Sequence, residues 1–505
     1  MRGPTTAAVV IGAGFGGIAA ALRLGARGYD VTLVDRLDQL GGRGTVYRRN
    51  GFVFDAGPTV ITAPFLVEEL FQLFNRRMED YLSMVPLDPW YRIRFDDGKV
   101  FDYGEGIERT EAEIRKFNPA DVAGYREFLR QTERVFDVGF TQLGDVPFHD
   151  PMKMLKIVPT MIGLGSYRSV YGYVSKYIKD PYLRQVFSFQ PLLVGGNPFT
   201  TTSIYALIHY LERKWGIHFA MGGTGSIIAA LGRLLGEVGV AVRLGTTADQ
   251  IEISAGRVTG VRLTGGERLP AGVVVANADA PYVYRQMIAP EYRRKWHDRK
   301  IDRLKYSMGL FVMYFGTRKK FSGLAHHMIL LGPRYKALLR EIFDGKEMPR
   351  DFSLYLHVPT VTDPSMAPHG CDAFYVLAPV PNLRSNIDWS VEGDRLRNRI
   401  VDYLDGTVLP GLKETIVEDF YVTPEHFRDN LLSLHGSGFS IQPVLTQSAY
   451  FRFHNRSEDV QGLYLVGAGT HPGAGMPGVL TSAKVLDRLI PAVAPNPLTG
   501  VVMPV

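Results

Sequence analysis

Cysteine is almost missing from the 505-residue chain, which contains only Cys371. A single cysteine excludes an intrachain disulfide and any zinc or iron–sulfur site built from cysteines of this chain, and it is typical of a reducing compartment. Runs of about 20 apolar residues, which a membrane-spanning helix needs, are also missing. The apolar stretch 7–22 is short and rich in glycine, so we expect neither a membrane span nor a signal peptide there.

Charge of one sign is not concentrated over most of the chain. The net charge is +6, but basic and acidic residues are mostly interleaved. A nucleic-acid-binding surface is therefore not predicted. With 46% apolar and 21% charged residues the chain is globular. Its length corresponds to roughly three domains of about 150 residues each.

The strongest local pattern lies at the N-terminus. A predicted buried strand is followed by the glycines Gly12, Gly14 and Gly17, a helix pattern, a second strand and then Asp35. In such a unit the first glycine makes a tight turn, the second lets a pyrophosphate approach the backbone, and the third lets the helix pack on the strand. The helix N-terminus attracts the pyrophosphate, and Asp35 can accept hydrogen bonds from a ribose. The pattern predicts a dinucleotide site; a purely structural glycine turn is the alternative.

The residues after this acid favour one dinucleotide. The glycine doublet Gly41-Gly42 lets backbone N–H groups reach a second phosphate or a ribityl chain, and Arg43 can neutralise pyrophosphate charge. This doublet resembles the flavoproteins of the amine oxidase type that bind two dinucleotides, so FAD is favoured over NAD. In that resemblance Pro58 and Thr59 belong to a loop that runs past the flavin. Ala248 would meet the adenine through its backbone.

Two later regions complete the predicted cofactor domain. Residues 222–279 carry one helix pattern and several strand patterns. Near the C-terminus a buried strand ends in a glycine motif with Gly469 and Thr470, and the turn containing Met476 leads into a helix pattern. The N-terminus of that helix is expected at the flavin pyrimidine edge, where negative charge gathers on reduction.

The predicted fold class is therefore α/β, with a discontinuous Rossmann-like FAD-binding domain and an inserted α+β substrate domain that carries a helical, membrane-associating lid. The predicted boundaries are 1–75, 218–290 and 460–492 for the FAD-binding domain, 76–217 and 291–459 for the substrate region, and 493–505 for a tail.

Nearly the whole chain, from about Ala7 to Ile490, resembles the bacterial-type phytoene desaturases of carotenoid synthesis. The resemblance rests on blocks at 54–62, 192–199, 351–357, 370–381, 445–449 and 466–475. It implies a long polyene hydrocarbon that loses a hydride to flavin N5 and an adjacent proton. Such a substrate offers no hydrogen-bonding group, so we expect an apolar tunnel that selects by length and shape. The paired glycine motifs and the absence of cysteine near the C-terminal flavin segment predict that FAD is bound non-covalently. Ala63 departs from the family's loop, where an acidic residue is typical.

No residue stands out as a general base. His149 and Asp150 lie in a predicted loop beside an apolar stretch, where a carboxylate could take up a proton. The alternatives are that Asp150 occupies a solvated turn, or that an allylic cation loses its proton without a dedicated base. No metal site is predicted, because His326 and His327 form the one tempting pair and adjacent side chains on a strand point apart.

The segment 151–179 breaks the even distribution of charge. It contains five basic residues, no acidic residue and many apolar residues. This combination is typical of a segment that lies in a membrane interface, and a lid with an apolar core face is the alternative. Because the hydrocarbon dissolves in the bilayer, we expect a peripheral protein on the cytoplasmic face of the membrane.

Two other classes of function remain open. Carotenoid isomerases, saturases and oxygenases share the FAD-binding fold and differ in their products. GDP dissociation inhibitors carry prenyl lipids on a similar frame without flavin, but Asp35, Gly42 and Arg43 argue against that class. A second nicotinamide-binding unit is not evident, so quinone or oxygen is the expected electron acceptor. The sequence indicates no oligomeric state.

Overall fold

The computed structural model describes residues 6–493, and their mixed α/β fold confirms the α/β part of the predicted fold class. The strands are β1 Ala7–Ile11, β2 Asp30–Val34, β3 Val46–Arg49, β4 Phe52–Asp55, β5 Met84–Pro86, β6 Tyr91–Phe95, β7 Val100–Tyr103, β8 His218–Ala220, β9 Ala241–Arg243, β10 Ala248–Ser254, β11 Arg257–Leu263, β12 Arg268–Pro270, β13 Val273–Ala276, β14 Gly309–Thr317, β15 His327–Leu331, β16 Leu354–His357, β17 Asp372–Val380, β18 Ile416–Val422 and β19 Leu463–Leu465. The α-helices are α1 Phe15–Ala26, α2 Phe65–Gln72, α3 Ile107–Phe117, α4 Asp121–Phe136, α5 Pro151–Gly163, α6 Val170–Val174, α7 Pro181–Val186, α8 Leu207–Trp215, α9 Thr224–Glu237, α10 Ala280–Tyr282, α11 Asp298–Asp302, α12 Tyr335–Asp344, α13 Trp389–Asp405, α14 Pro424–Asp429 and α15 Met476–Lys484.

The first sheet is parallel and has the strand order β19-β13-β1-β2-β9. Its strands are runs of apolar residues because both faces are buried, as is usual for parallel sheets. Val10 and Val275 pack on one face with side chains of α1, α9 and α15. Val9 and Val274 pack on the other face with side chains of β10 and β11. All five strands lie in the three segments that the sequence assigns to the cofactor domain.

The second sheet has seven strands in the order β18-β14-β17-β16-β15-β6-β7. Only β15 and β6 pair in parallel; the other neighbours are antiparallel. One face is covered by α13 through Leu396, Ile400 and Leu404. The opposite face belongs to an aromatic-rich cluster that includes Tyr314 and Tyr375. Because β6 and β7 precede the cofactor segment 218–290 and β14–β18 follow it, both substrate segments contribute to one sheet.

Gly17 sets the spacing between α1 and the turn after β1. A Cβ atom on Gly17 would overlap the carbonyl oxygen of Gly12. Gly12 itself has a φ of +95°, in the region that favours glycine. The close approach of helix and turn therefore requires glycine at both positions.

We expect Gly17→Ala to lower the free energy of unfolding by about 1–3 kcal/mol, the usual cost of forcing extra volume into a packed interior. Gly236→Ala is the matched control, because a Cβ atom on this exposed residue of α9 would meet no atom within 4 Å. Alanine there should stabilise the helix by about 0.5–1 kcal/mol. Urea unfolding measures both effects. A Gly17→Ala variant that unfolds at the same midpoint urea concentration as the wild type would contradict the packing argument.

Candidate functional site: two cavities with a common wall

A cavity of about 280 Å³ opens where β1 and β2 end and α1 begins. Gly12 and Gly14 line it, and the Gly12 N–H donates to the Val34 carbonyl at 2.8 Å, which ties the turn to β2. Gly14 occupies the N-cap of α1, and no side chain caps the helix there. The first N–H groups of α1 are therefore available to an anionic ligand.

The structure brings together most of the residues that the sequence assigns to the cofactor. Eight of them line this cavity: Gly12, Gly14, Asp35, Gly42, Arg43, Pro58, Ala248 and Met476. Thr59 lines the neighbouring cavity, and Gly17 packs behind the wall. Gly469 and Thr470 do not line either cavity, since Thr470 is fully buried and donates to the Gly467 carbonyl at 3.0 Å. Gly467 and Ala468 form that part of the wall instead.

Asp35 is held in place by the backbone of the turn. One carboxylate oxygen accepts the Ala13 N–H at 2.6 Å, and the other accepts the Leu37 N–H at 2.8 Å. Burial raises the pKa of Asp35, and these two hydrogen bonds oppose that rise. Each carboxylate oxygen keeps a free lone pair that can accept from a ribose hydroxyl.

Arg43 and Asp279 add two charged side chains to the lining of this cavity. The Arg43 Nη2 group donates to Ser433 Oγ at 3.1 Å, whereas its buried Nε has no partner among the described residues. Burial lowers the pKa of Arg43, and the nearby Asp279 carboxylate counteracts this. Asp279 was missed in the sequence, although it lies in the turn after the end of β13, as Asp35 lies directly after β2. Acids at the carboxyl ends of parallel strands are the pattern that would have found it.

A second, apolar cavity of about 360 Å³ lies against the aromatic face of the seven-stranded sheet. Side chains of β15, β16 and β17 form its floor, including Ile329, Tyr355 and Leu377. The two cavities are contiguous, because one set of residues lines both: Pro58, Leu193, Tyr375, Leu377, Phe439, Ala474, Gly475 and Met476. The N-terminus of α15 therefore lies at their junction.

Few polar groups reach the apolar cavity. Thr59 Oγ1 and the Tyr355 hydroxyl lie 2.7 Å apart on its wall, and the Tyr355 hydroxyl is also 2.7 Å from His327 Nδ1. Glu212 of α8 lines the cavity and is fully buried. Sequence inspection missed Glu212 because it precedes Arg213 and Lys214, a run typical of an exposed helix face.

Helix α5 closes one side of the apolar cavity. Met154, Ile157 and Met161 line the cavity, but no residue of α5 is buried. Met152 and Leu155 are 58% and 64% exposed on its outer side. Within residues 6–493, no helix combines the length and the hydropathy that crossing a bilayer would require. The segment 151–179 therefore presents apolar side chains both to the cavity and to the surroundings.

His149 and Asp150 lie at the rim rather than on the wall, between the lining residues Phe148 and Met154. Asp150 caps α5: its Oδ1 accepts the Met152 N–H at 2.9 Å. The Nδ1 atom of His149 is buried without a hydrogen-bond partner in the described part of the chain, and burial lowers the pKa of this imidazole. The catalytic assignment of both residues stays a prediction.

The expectation that His326 and His327 point apart is wrong. Their rings lie 4.6 Å apart because β15 begins at His327, so His326 precedes the strand and escapes its alternation. His357, the register partner of His327, completes a buried cluster in which one ring nitrogen of each residue lies within 4.8 Å of the others. Burial lowers the pKa of all three imidazoles. The absence of a metal stays a prediction, which elemental analysis of the purified protein tests.

Comparison with known proteins defines the class. The family model described as flavin containing amine oxidoreductase matches residues 15–485. A solved oxidoreductase from Methanosarcina mazei shares the fold, with a TM-score of 0.63 and 17% identity over 95% of this chain and 99% of that one. The chain belongs to this family of flavin-dependent oxidoreductases, and FAD is its cofactor.

Within the family, the sequence is that of a bacterial-type phytoene desaturase. The lycopene-forming phytoene desaturase of Pantoea ananas is 48% identical over 96% of this chain and 99% of that protein. The neurosporene-forming phytoene desaturase of Rhodobacter capsulatus is 46% identical over 97% of this chain and 95% of that protein. The resemblance predicted from the sequence blocks is thereby confirmed.

The first cavity fits FAD. Gly42 has a φ of +56°, and a Cβ atom on it would lie 3.3 Å from Gly14 Cα. Side chains at these two positions would therefore fill the space between the two glycine turns. The unpartnered Arg43 Nε and the uncapped end of α1 offer donors to pyrophosphate oxygens. Asp35 offers acceptors to a ribose.

We expect Asp35→Ala to weaken FAD binding about ten- to a hundred-fold, because a charge-assisted hydrogen bond of about 1.5–3 kcal/mol is lost. Asp249→Ala is the control, since this exposed carboxylate pairs with Arg262 outside the cavity. Titration of the apoproteins with FAD measures both affinities. Equal affinity in the Asp35 variant and the parent would contradict the role assigned to Asp35.

Proposed function

We propose that the protein desaturates phytoene, forming more conjugated carotenes such as neurosporene or lycopene. The observation that carries this proposal is the common wall between an apolar cavity and a dinucleotide cavity, in a chain 46–48% identical to two phytoene desaturases. When bound, FAD supplies the acceptor for a hydride from the substrate.

In this proposal FAD binds non-covalently in the domain formed by 1–75, 218–290 and 460–492. Gly12, Gly14 and Arg43 hold the pyrophosphate, and Asp35 holds a ribose. Residues of the common wall, such as Leu193 and Met476, align the hydrocarbon with the reactive part of the cofactor. Because the wall is largely apolar, it selects the substrate by shape and excludes water from the reacting carbons.

We also propose that α5 and the residues after it, 151–179, form a lid that contacts the membrane. The support is the pairing of exposed apolar side chains with exposed Lys153 and Lys156 on a helix that lines the apolar cavity. A lipid-dissolved substrate would pass from the bilayer to the cavity without crossing water. The protein would then act as a peripheral protein on the cytoplasmic face, with quinone or oxygen as the electron acceptor.

Product analysis tests the proposed reaction. Incubation of the protein with FAD, phytoene-loaded liposomes and a quinone should yield carotenes with longer conjugated systems, which chromatography separates by absorption. The Asp35→Ala variant at limiting FAD is the control and should yield less product. Recovery of isomerised, saturated or oxygenated carotenoids alone would contradict desaturation and point to one of the related flavoenzymes.

Liposome binding tests the membrane assignment. Changing the exposed residues Lys153, Lys156, Lys176 and Lys179 to Gln removes attraction of about 1 kcal/mol for each charge near anionic lipid. With two charges at the surface, membrane affinity should fall about thirty-fold at low salt. The difference should shrink in about 1 M salt, where the Debye length is about 3 Å.

The matched control changes four exposed lysines outside the segment, Lys319, Lys320, Lys346 and Lys413, to Gln. This control carries the same net charge as the test variant. Equal co-sedimentation of the two variants with anionic liposomes, both folded and loaded with FAD, would show that the segment does not provide the membrane contact.

A further inference from the structure

Removal of two hydrogens from a hydrocarbon as a hydride and a proton leaves the proton to be accepted at the apolar cavity, since FAD is the acceptor of the hydride in the proposed function. Among the described residues that line this cavity, Glu212 alone carries a carboxyl group. The side chain comes from the middle of α8 and is completely buried. The other groups able to take a proton on the wall are tyrosines and His471, whose Nε2 lies 3.1 Å from the Leu143 carbonyl.

The Glu212 carboxylate is oriented from two separate elements. Tyr91 of β6 donates its hydroxyl to Oε1 at 2.9 Å, and Gln190 donates its Nε2 group to Oε2 at 3.5 Å. Both partners are donors, so the surroundings are arranged for an ionised acceptor. A carboxylate held in this way at an apolar wall is a positioned proton acceptor.

We propose that Glu212 is a catalytic residue that accepts the proton lost from the substrate during desaturation. This inference rests on the proposed function. The hydride leaves one substrate carbon, and its acceptor is FAD. The proton of the neighbouring carbon is transferred to a Glu212 carboxylate oxygen. The electron pair of that second C–H bond becomes the new C=C bond, so atoms and electrons balance. The proton returns to water once the product has left.

The charge environment of Glu212 supports this role. Burial raises its pKa to about 8, while the hydrogen bonds from Tyr91 and Gln190 and the charge of Arg213 on the same helix oppose the rise. Tyr103 of β7 and His209 also face this region, and burial keeps both uncharged. A base is most effective when its pKa lies near the working pH, since it then both accepts and releases a proton readily.

The main test compares wild-type protein with Glu212→Gln under the product assay at several pH values. In the wild type, kcat/KM should rise about tenfold per pH unit up to about pH 8 and then level off, because only the ionised carboxylate accepts a proton. In Glu212→Gln that rise should disappear and kcat should fall at least about a hundred-fold. KM should stay close to the wild-type value, because the apolar wall is retained.

Asp150→Asn distinguishes the two candidate bases. If the rise of kcat/KM with pH disappears in Asp150→Asn and persists in Glu212→Gln, the assignment of the base to Glu212 is overturned. Wild-type protein that makes no desaturated carotene would instead overturn the proposed function and this inference with it. An active wild type and an equally active Glu212→Gln variant would overturn the inference alone.

A second measurement does not depend on activity. A group whose pKa is raised in the folded state loses its stabilising contribution as the pH rises from its unfolded to its folded pKa, here from about 4.5 to about 8. The thermal midpoint of the wild type should therefore fall more across this interval than that of Glu212→Gln. Infrared difference spectra of the wild type should show a protonated carboxyl that disappears near pH 8 and is missing in the variant. A Glu212 carboxyl that stays protonated throughout the pH range in which the enzyme is active would contradict the proposal, because a protonated carboxyl cannot accept the substrate's proton.

Discussion

A charged dinucleotide and a hydrocarbon have opposite requirements for solvation, and the fold has to bring them into contact. The parallel sheet meets the first requirement, since its strand ends and the start of α1 offer backbone donors, Asp35 and Arg43 to the cofactor. The aromatic face of the seven-stranded sheet meets the second. The common wall that includes Pro58, Leu193 and Met476 is where the two environments join.

This wall explains why the chain crosses between the two regions several times. Pro58 follows β4, Leu193 precedes α8, and Met476 begins α15, so each part of the junction comes from a different section of the sequence. A contiguous cofactor domain joined to a contiguous substrate domain by one linker would meet along fewer segments. The interleaved topology instead anchors both sides of the junction in packed sheets, which fixes the wall more firmly than loops would.

The parts of the site that could be predicted from sequence are those determined by neighbouring residues. The strand, glycine turn, helix and acid from β1 to Asp35 lie within about 30 residues, and each step has a local physical requirement. The start of α5 also depends on local chemistry, because Asp150 before Pro151 is a typical helix cap, although the sequence predicted a loop or a solvated turn at Asp150.

Other features depend on distant partners or on a boundary. Glu212 is buried because β6 and the segment around Gln190 pack over α8, although its sequence neighbours are charged. The expected alternation of side chains required His326 to lie within the strand. Because β15 begins at His327, the alternation does not apply and the two imidazole rings lie close together. Strand ends shift by a residue or two with tertiary context, and a one-residue shift reverses which side chains share a face.

The lid and the buried carboxyl are physically coupled in the proposed function. The pKa of Glu212 is raised by burial, so it depends on a cavity that holds little water. Met154, Ile157 and Met161 help to close that cavity, but α5 has no buried residue and therefore little packing to hold it closed in water. Contact with a bilayer would cover the outer side chains Met152 and Leu155 and remove the cost of exposing them. A membrane surface would thus favour the state in which the substrate has access to the cavity and water does not.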